Sequence, residues 1–254
     1  MNTKLLSEKS LSVIDQYLNF NLGSATCPIP YYNNKKTGLR GSLRVMVGKG
    51  SPKEIFEEVR DFTTLEKIDT KNLDSMSLKR ILVEKNIGID CSGLAYYVLN
   101  AESENRDKGT IDKHLSFVNA HGLFSKIRAK INPEKSTDVD TLADNKNSRI
   151  IETKKIEPGD MITMTNDQIN HVLIIHQIEY QNFIPVILHY THAMAWPTDG
   201  EYGHGVKQGT IEIIEINKPL VEQRWIEAGK TGNDNYTLSR AQKSTTEIRR
   251  LNWL

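Results

Sequence analysis

Apolar residues near the start of the chain recur as Leu5, Leu6, Leu11, Ile14 and Leu18, a spacing that predicts an amphipathic helix. A turn-rich stretch from Gly23 to Gly41 follows, then a short strand predicted over Leu43 to Val47. Ser51-Pro52-Lys53-Glu54 opens another helix: Ser51 is placed to cap it, Pro52 takes the first helical position and Glu54 completes a capping box. Ile55, Phe56 and Val59 are its expected buried face, and a further helix is predicted over Leu78 to Glu84. GIDCSGLAYYVLN reads as a loop entering a helix at Cys91, with Leu94, Tyr97 and Val98 on the same face as the thiol. From Ala101 to Ile151 the pattern is polar and poorly periodic, apart from a helix predicted around His114 to Ile127, and Lys135 to Arg149 reads as a flexible excursion. The second half changes period: Met161–Met164, His171–Glu179, Ile184–His192 and Thr210–Ile216 are β-like runs bounded by turn residues. The tail, Thr237 to Leu254, adds a helix or an edge strand.

Helices first and strands later predict an α+β fold, with helices of the N-terminal half packed on an antiparallel sheet from the C-terminal half. The 254 residues are read as one domain, 1–254, with an N-terminal helical extension over about 1–25 and an insertion over about 101–150. Composition is ordinary for a globular chain, 38% hydrophobic and 26% charged, so a core forms without staples. A net charge of +1, with both signs interspersed, provides no global field for nucleic acid. No run approaches the ~18 apolar residues of a membrane span. The N-terminus lacks the continuous apolar segment of a secretory signal, which makes the cytoplasm the default expectation.

Two cysteines, Cys27 and Cys91, are too few for a disulfide framework, and neither belongs to a CxxC pair. A lone cysteine is most often a small buried hydrophobe. Asp90-Cys91-Ser92-Gly93 offers more: a helix start presents free N–H groups and a partial positive charge that favour a thiolate and can face an oxyanion. The histidines shift the balance further. His171 opens the strand HVLIIHQIE on the face of Leu173 and Ile175, and His189 and His192 lie on the next strand. A hairpin centred near Gln181 sets position 173 opposite 189, making His171 and His189 diagonal neighbours. A base oriented by a third polar group is the general arrangement of an activated nucleophile.

DCSGL, EPGDMITM and NHVLII, followed by a strand bearing a further histidine, form in this order the signature of the NlpC/P60 cysteine peptidases, which the chain resembles over roughly Pro30 to Val206. The resemblance implies a papain-like fold and a Cys-His-His triad: Cys91 as nucleophile, His171 as base, and a second histidine orienting it. His189 is preferred for that place on pairing geometry, with His192-Ala193, which also matches the family's pattern, as the other candidate. Tyr31, in a Pro-Tyr pair like the family's, is implied to bind or polarise the substrate carbonyl, with Asp90 and Ser92 beside it. The implied substrate is a peptidoglycan stem peptide, cut without a cofactor and without metal. Without a leader, the wall would be reached by a non-classical, phage-lysis or toxin-delivery route. Two departures stand out: 171 − 91 = 80 residues separate cysteine and histidine, longer than usual, and Val172-Leu173 replaces the usual Val-Gly. The same triad also serves an acyltransferase or deamidase acting on a lipid or protein amide, and the fold alone would serve a non-catalytic binding module.

Weaker signals are read structurally. Gly48-Lys49-Gly50-Ser51 suggests a phosphate loop, but Leu43 stands where a Walker loop needs glycine. His171, His176, His189, His192 and His204 include no HExxH pair for zinc. Trp196-Pro197 is read as core or rim packing, with a place in a substrate groove as the alternative.

Overall fold

A computed structural model describes residues 2–33, 44–167 and 170–254. Asn34 to Gly41 of the predicted turn-rich stretch, and Leu43 of the predicted strand, lie outside these residues. Along the described chain come β1 (Asn2–Leu5), α1 (Glu8–Leu18), β2 (Phe20–Leu22), β3 (Ala25–Cys27), α2 (Pro52–Leu65), α3 (Ser75–Glu84) and α4 (Cys91–Asn105). Three short helices follow: α5 (Leu123–Ile131), α6 (Pro133–Ser136) and α7 (Val139–Ala143). The second half holds β4 (Ser148–Ile150), β5 (Met161–Thr165), β6 (His171–Gln181), β7 (Ile184–Met194), α8 (Gly200–Gly203), β8 (Gly205–Glu212), β9 (Arg224–Glu227), β10 (Lys230–Thr231), α9 (Tyr236–Gln242) and β11 (Thr245–Leu251).

Local chemistry accounts for the helix starts. Ser51 accepts from the Glu54 N–H while Glu54 returns to the Ser51 N–H, the reciprocal capping box read from the sequence. Ile55 and Val59 point into the core as expected, but Phe56 is exposed because it sits one position off that stripe. Val45–Val47 is a single 3-10 turn rather than a strand, ended by Gly48 at φ 74°.

Nine strands of the described residues form one antiparallel sheet in the order β10-β9-β8-β7-β6-β5-β11-β4, with β1 pairing the outer half of β6. Alternation splits the core in two. Val172 and Ile174 of β6 face one cluster with Tyr17, Leu94, Val98 and Leu99 of the N-terminal helices. Leu173 and Ile175 face a second cluster with Tyr190, Trp225 and Leu238, under α9. The α+β architecture, N-terminal helices against a C-terminal antiparallel sheet, is therefore as predicted.

Three further elements differ from expectation. β11 lies inside the sheet, between β5 and β4, rather than at an edge. Its arginines make this possible: Arg250 Nε donates to Asp160 Oδ1 at 2.6 Å, and Arg249 donates to Ser148 Oγ at 2.9 Å. The segment from Lys135 to Arg149 is not an excursion but α6, α7 and β4, and Asn147 anchors it by donating to the Ser116 and Thr141 carbonyls. The helix predicted around His114 to Ile127 begins only at Leu123, after a 3-10 turn at Ile111–Lys113. No helix of the described residues is long and apolar enough to cross a membrane.

Candidate functional site

Cys91 is the first residue of α4, and its turn is built from both sides. Asp90 caps the helix by accepting from the Gly93 N–H at 2.6 Å. The Asp90 N–H donates in turn to the Gly48 carbonyl, while Ile89 bridges both Tyr31 and Lys49. A Cβ on Gly93 would meet the Gly48 oxygen at 2.6 Å, so glycine in DCSG lets these two backbones touch. Gly48-Lys49-Gly50 is thus a packing loop rather than a phosphate loop. Tyr97 and Tyr17 hold it by donating to the Lys49 and Gly50 carbonyls, each at 2.8 Å.

Asp90 and Ser92, expected beside the substrate, lie under the cysteine turn. Both are buried, and Ser92 Oγ and Asp90 Oδ1 are engaged by Lys49. The ammonium donates to Ser92 Oγ at 2.6 Å and to the Thr137 carbonyl at 2.9 Å, and lies 3.0 Å from Asp90 Oδ1. Ser92 donates to the same Asp90 oxygen. A buried charge pair of this kind persists because every proton has an acceptor. It also ties the 101–150 segment, through Thr137, to the back of the cysteine turn.

The thiol itself is 6% exposed. Burial pushes it up to about 11, with the Asp90 carboxylate adding to the rise; the Val172 N–H, Lys49 and Arg240 pull it back only in part. The helix start therefore does not hold a thiolate at neutral pH, as the sequence suggested; desolvation wins. Removing the Lys49 charge exposes the sulfur to unbalanced Asp90. Lys49→Met is expected to raise the thiol further and to slow alkylation of Cys91 at pH 8 by about tenfold, equivalent to roughly one pKa unit. An unchanged rate would show that Lys49 has no electrostatic hold on the sulfur.

The Val172 N–H that reaches Cys91 belongs to the residue after His171, so α4 and the mouth of β6 meet at the sulfur. His171 is 2% exposed, and its Nε2 lies 2.8 Å from Nδ1 of His192. The two rings meet edge to face. Behind them, His192 Nε2 is 3.1 Å from Glu227 Oε2, near enough for an ion pair though off the axis of a straight hydrogen bond. Glu227 also accepts from Tyr190 Oη at 2.7 Å and from Thr237 Oγ1 at 2.9 Å. Burial alone would raise this carboxyl, but His192 and the two hydroxyls outweigh it and hold it below its ordinary range.

His189, preferred for the third place, is not beside His171. Its Nε2 pairs with Glu179 Oε1 at 2.7 Å. The reason lies in the hairpin. The turn is Asn182-Phe183, both at positive φ, which matches a two-residue hairpin turn but is uncommon for a bulky phenylalanine. Two irregularities, between Ile175 and Gln177 and between Glu179 and Tyr180, displace the register in opposite senses and cancel. Ile174 then faces Thr191, and the next step sets Leu173 opposite His192. His192 becomes the diagonal neighbour of His171.

His189 instead faces His176, with ring centroids 6.1 Å apart. Burial, and then the His189 charge, lower the His176 pKa to about 4. A histidine depressed in the folded state binds its proton more readily when unfolded. Its penalty is therefore absent above pH 6.5 and grows as pH falls toward 4, by about 3 kcal/mol at full extent. His176→Gln is expected to flatten the fall in melting temperature over that window; an undiminished fall would assign the acid sensitivity elsewhere.

Tyr31 stands at the cysteine's other flank. Burial, followed by the nearby Cys91, raises its phenol, which is neutral at physiological pH and able to donate. His204 fixes the backbone here by accepting from the Tyr31 N–H at 3.1 Å. Trp196 is buried, donating to Thr237 Oγ1. Lys49, Glu227 and Arg240 were missed in the sequence. Glu227 had a signal: in the strand RWIE it shares the face of Trp225, where a solvent-facing glutamate does not belong. Arg240, on α9, donates to the Asn170 carbonyl beside His171.

No curated protein and no solved structure matched this chain. The family model described as NlpC/P60 family matches residues 77–230, which include Cys91, His171, His192 and Glu227. With more than half of its length matched, the chain belongs to the NlpC/P60 family, whose members are generally hydrolases of the cysteine peptidase and amidase type.

Proposed function

We propose that this chain cleaves amide bonds by acyl transfer through a thioester on Cys91, with His171 as base and His192 and Glu227 as the groups that orient it. The observation that carries this reading is the His171–His192 contact of 2.8 Å, backed by buried Glu227 and set beside the sulfur-bearing helix start. Glu227 favours a proton on His192 Nε2. That leaves His192 Nδ1 as acceptor for the His171 Nε2 proton, and makes His171 Nδ1 the basic nitrogen. Because the resting thiol is neutral, its proton moves to Nδ1 as sulfur attacks the carbonyl carbon. The imidazolium that results is stabilised by the relay, then protonates the leaving amine. Water resolves the thioester, with the same nitrogen as base. Tyr31 donates to the substrate carbonyl oxygen, and the α4 N-terminus faces the developing oxyanion.

The substrate class in this reading is the peptidoglycan stem peptide. Incubation with defined stem peptides, followed by mass spectrometry of the products, tests it. Release of two fragments at one amide bond is expected, and the Cys91→Ala variant should release none. Intact peptides after prolonged incubation, with Cys91 still alkylatable, would remove the substrate assignment.

A further inference from the structure

A second surface owes nothing to the site above. Helix α5 reads LFSKIRAKI, and its large apolar residues face outward: Leu123 is 70% exposed, Phe124 88%, Ile127 47% and Ile131 70%. At ~100° per residue these four fall within an arc of about 100°. Lys126 and Lys130 border the arc on one side and Arg128 on the other. Ala129, on the opposite side and 2% exposed, seats the helix against the body. Leu123 to Ile131 contains three cations and no acid, a local excess that the chain's net charge of +1 conceals.

We infer that α5 docks the protein onto an anionic lipid surface. The apolar arc enters the acyl boundary, and the flanking lysines and arginine reach back to headgroup phosphates on both sides. Charge complementarity selects this occupant over a second copy, since pairing two such faces would bring three cations within a few ångströms of three more. α5 packs on α6, and the next residue, Thr137, accepts from Lys49.

Cosedimentation of the full chain with phosphatidylcholine vesicles, with and without about one-third phosphatidylglycerol, tests the inference. Binding is expected to the anionic vesicles only and to be released by high salt. Both Phe124→Ser/Ile127→Ser and Lys126→Glu/Lys130→Glu are expected to weaken it at least about tenfold. All four positions are exposed, so the Cys91 alkylation rate should be unchanged, which shows that the fold is intact and separates this outcome from any failure at the active site. Failure of the wild type to bind anionic vesicles, or variants that bind equally well, would overturn the inference. So would a wild-type dimer in solution that the Phe124→Ser/Ile127→Ser variant dissolves.

Discussion

Cys91→Ala and His171→Ala are each expected to reduce amide cleavage by at least about 10⁴-fold, with the double variant no slower than either single one. The expectation follows from the shared step. The thiol is buried and pushed up to about 11, so little thiolate exists at neutral pH without a base. Without His171 the sulfur keeps its proton; without sulfur the imidazole has no nucleophile to activate. Two groups serving one proton transfer cannot have additive effects. Steady-state rates for the three variants on a common substrate check this. Multiplying losses would mean that the two residues act in separate steps.

His192→Ala and Glu227→Gln are expected to lower kcat by about 10²- to 10³-fold, while His189→Ala stays within about twofold. In the proposed relay His192 accepts the proton that fixes the His171 tautomer, and Glu227 supplies the charge that makes His192 an acceptor at Nδ1. In that relay neither touches substrate and both act as positioning residues. Glu227→Gln keeps the shape, and its amide oxygen still accepts from Tyr190 and Thr237, so its loss isolates the charge. His192→Asn, whose side-chain carbonyl accepts the same proton, recovers part of the rate lost in His192→Ala. A purely packing role for His192 would give no such recovery. Equal losses from His189→Ala and His192→Ala would contradict the relay.

The legibility of this molecule follows the range of the forces involved. Local chemistry was readable: the capping box at Ser51, the helix start at Cys91 and the strands from Met161 to Met194 are all determined within a few residues. The hairpin register was not, because it depends on the turn falling at Asn182-Phe183, with Phe183 at a positive φ, rather than being centred at Gln181; the two irregularities cancel and leave that register unchanged. An error in register moves every partner, and that is how His189 displaced His192. The interior position of β11 was hidden for a different reason: two arginines read as surface until Asp160 and Ser148 supply partners from distant segments. Lys49 is a similar case, a charge whose burial makes sense only once Asp90, Ser92 and Thr137 surround it.

The pairing of sulfur and imidazole is open to one direct measurement that needs no substrate. Iodoacetamide labelling of Cys91 at neutral pH, followed by peptide mass mapping with buried Cys27 as internal reference, compares the wild type with His171→Ala. Loss of the base is predicted to slow labelling of Cys91 by at least about tenfold and leave Cys27 unaffected. Equal labelling of Cys91 in the two proteins would contradict the claim that His171 takes its proton.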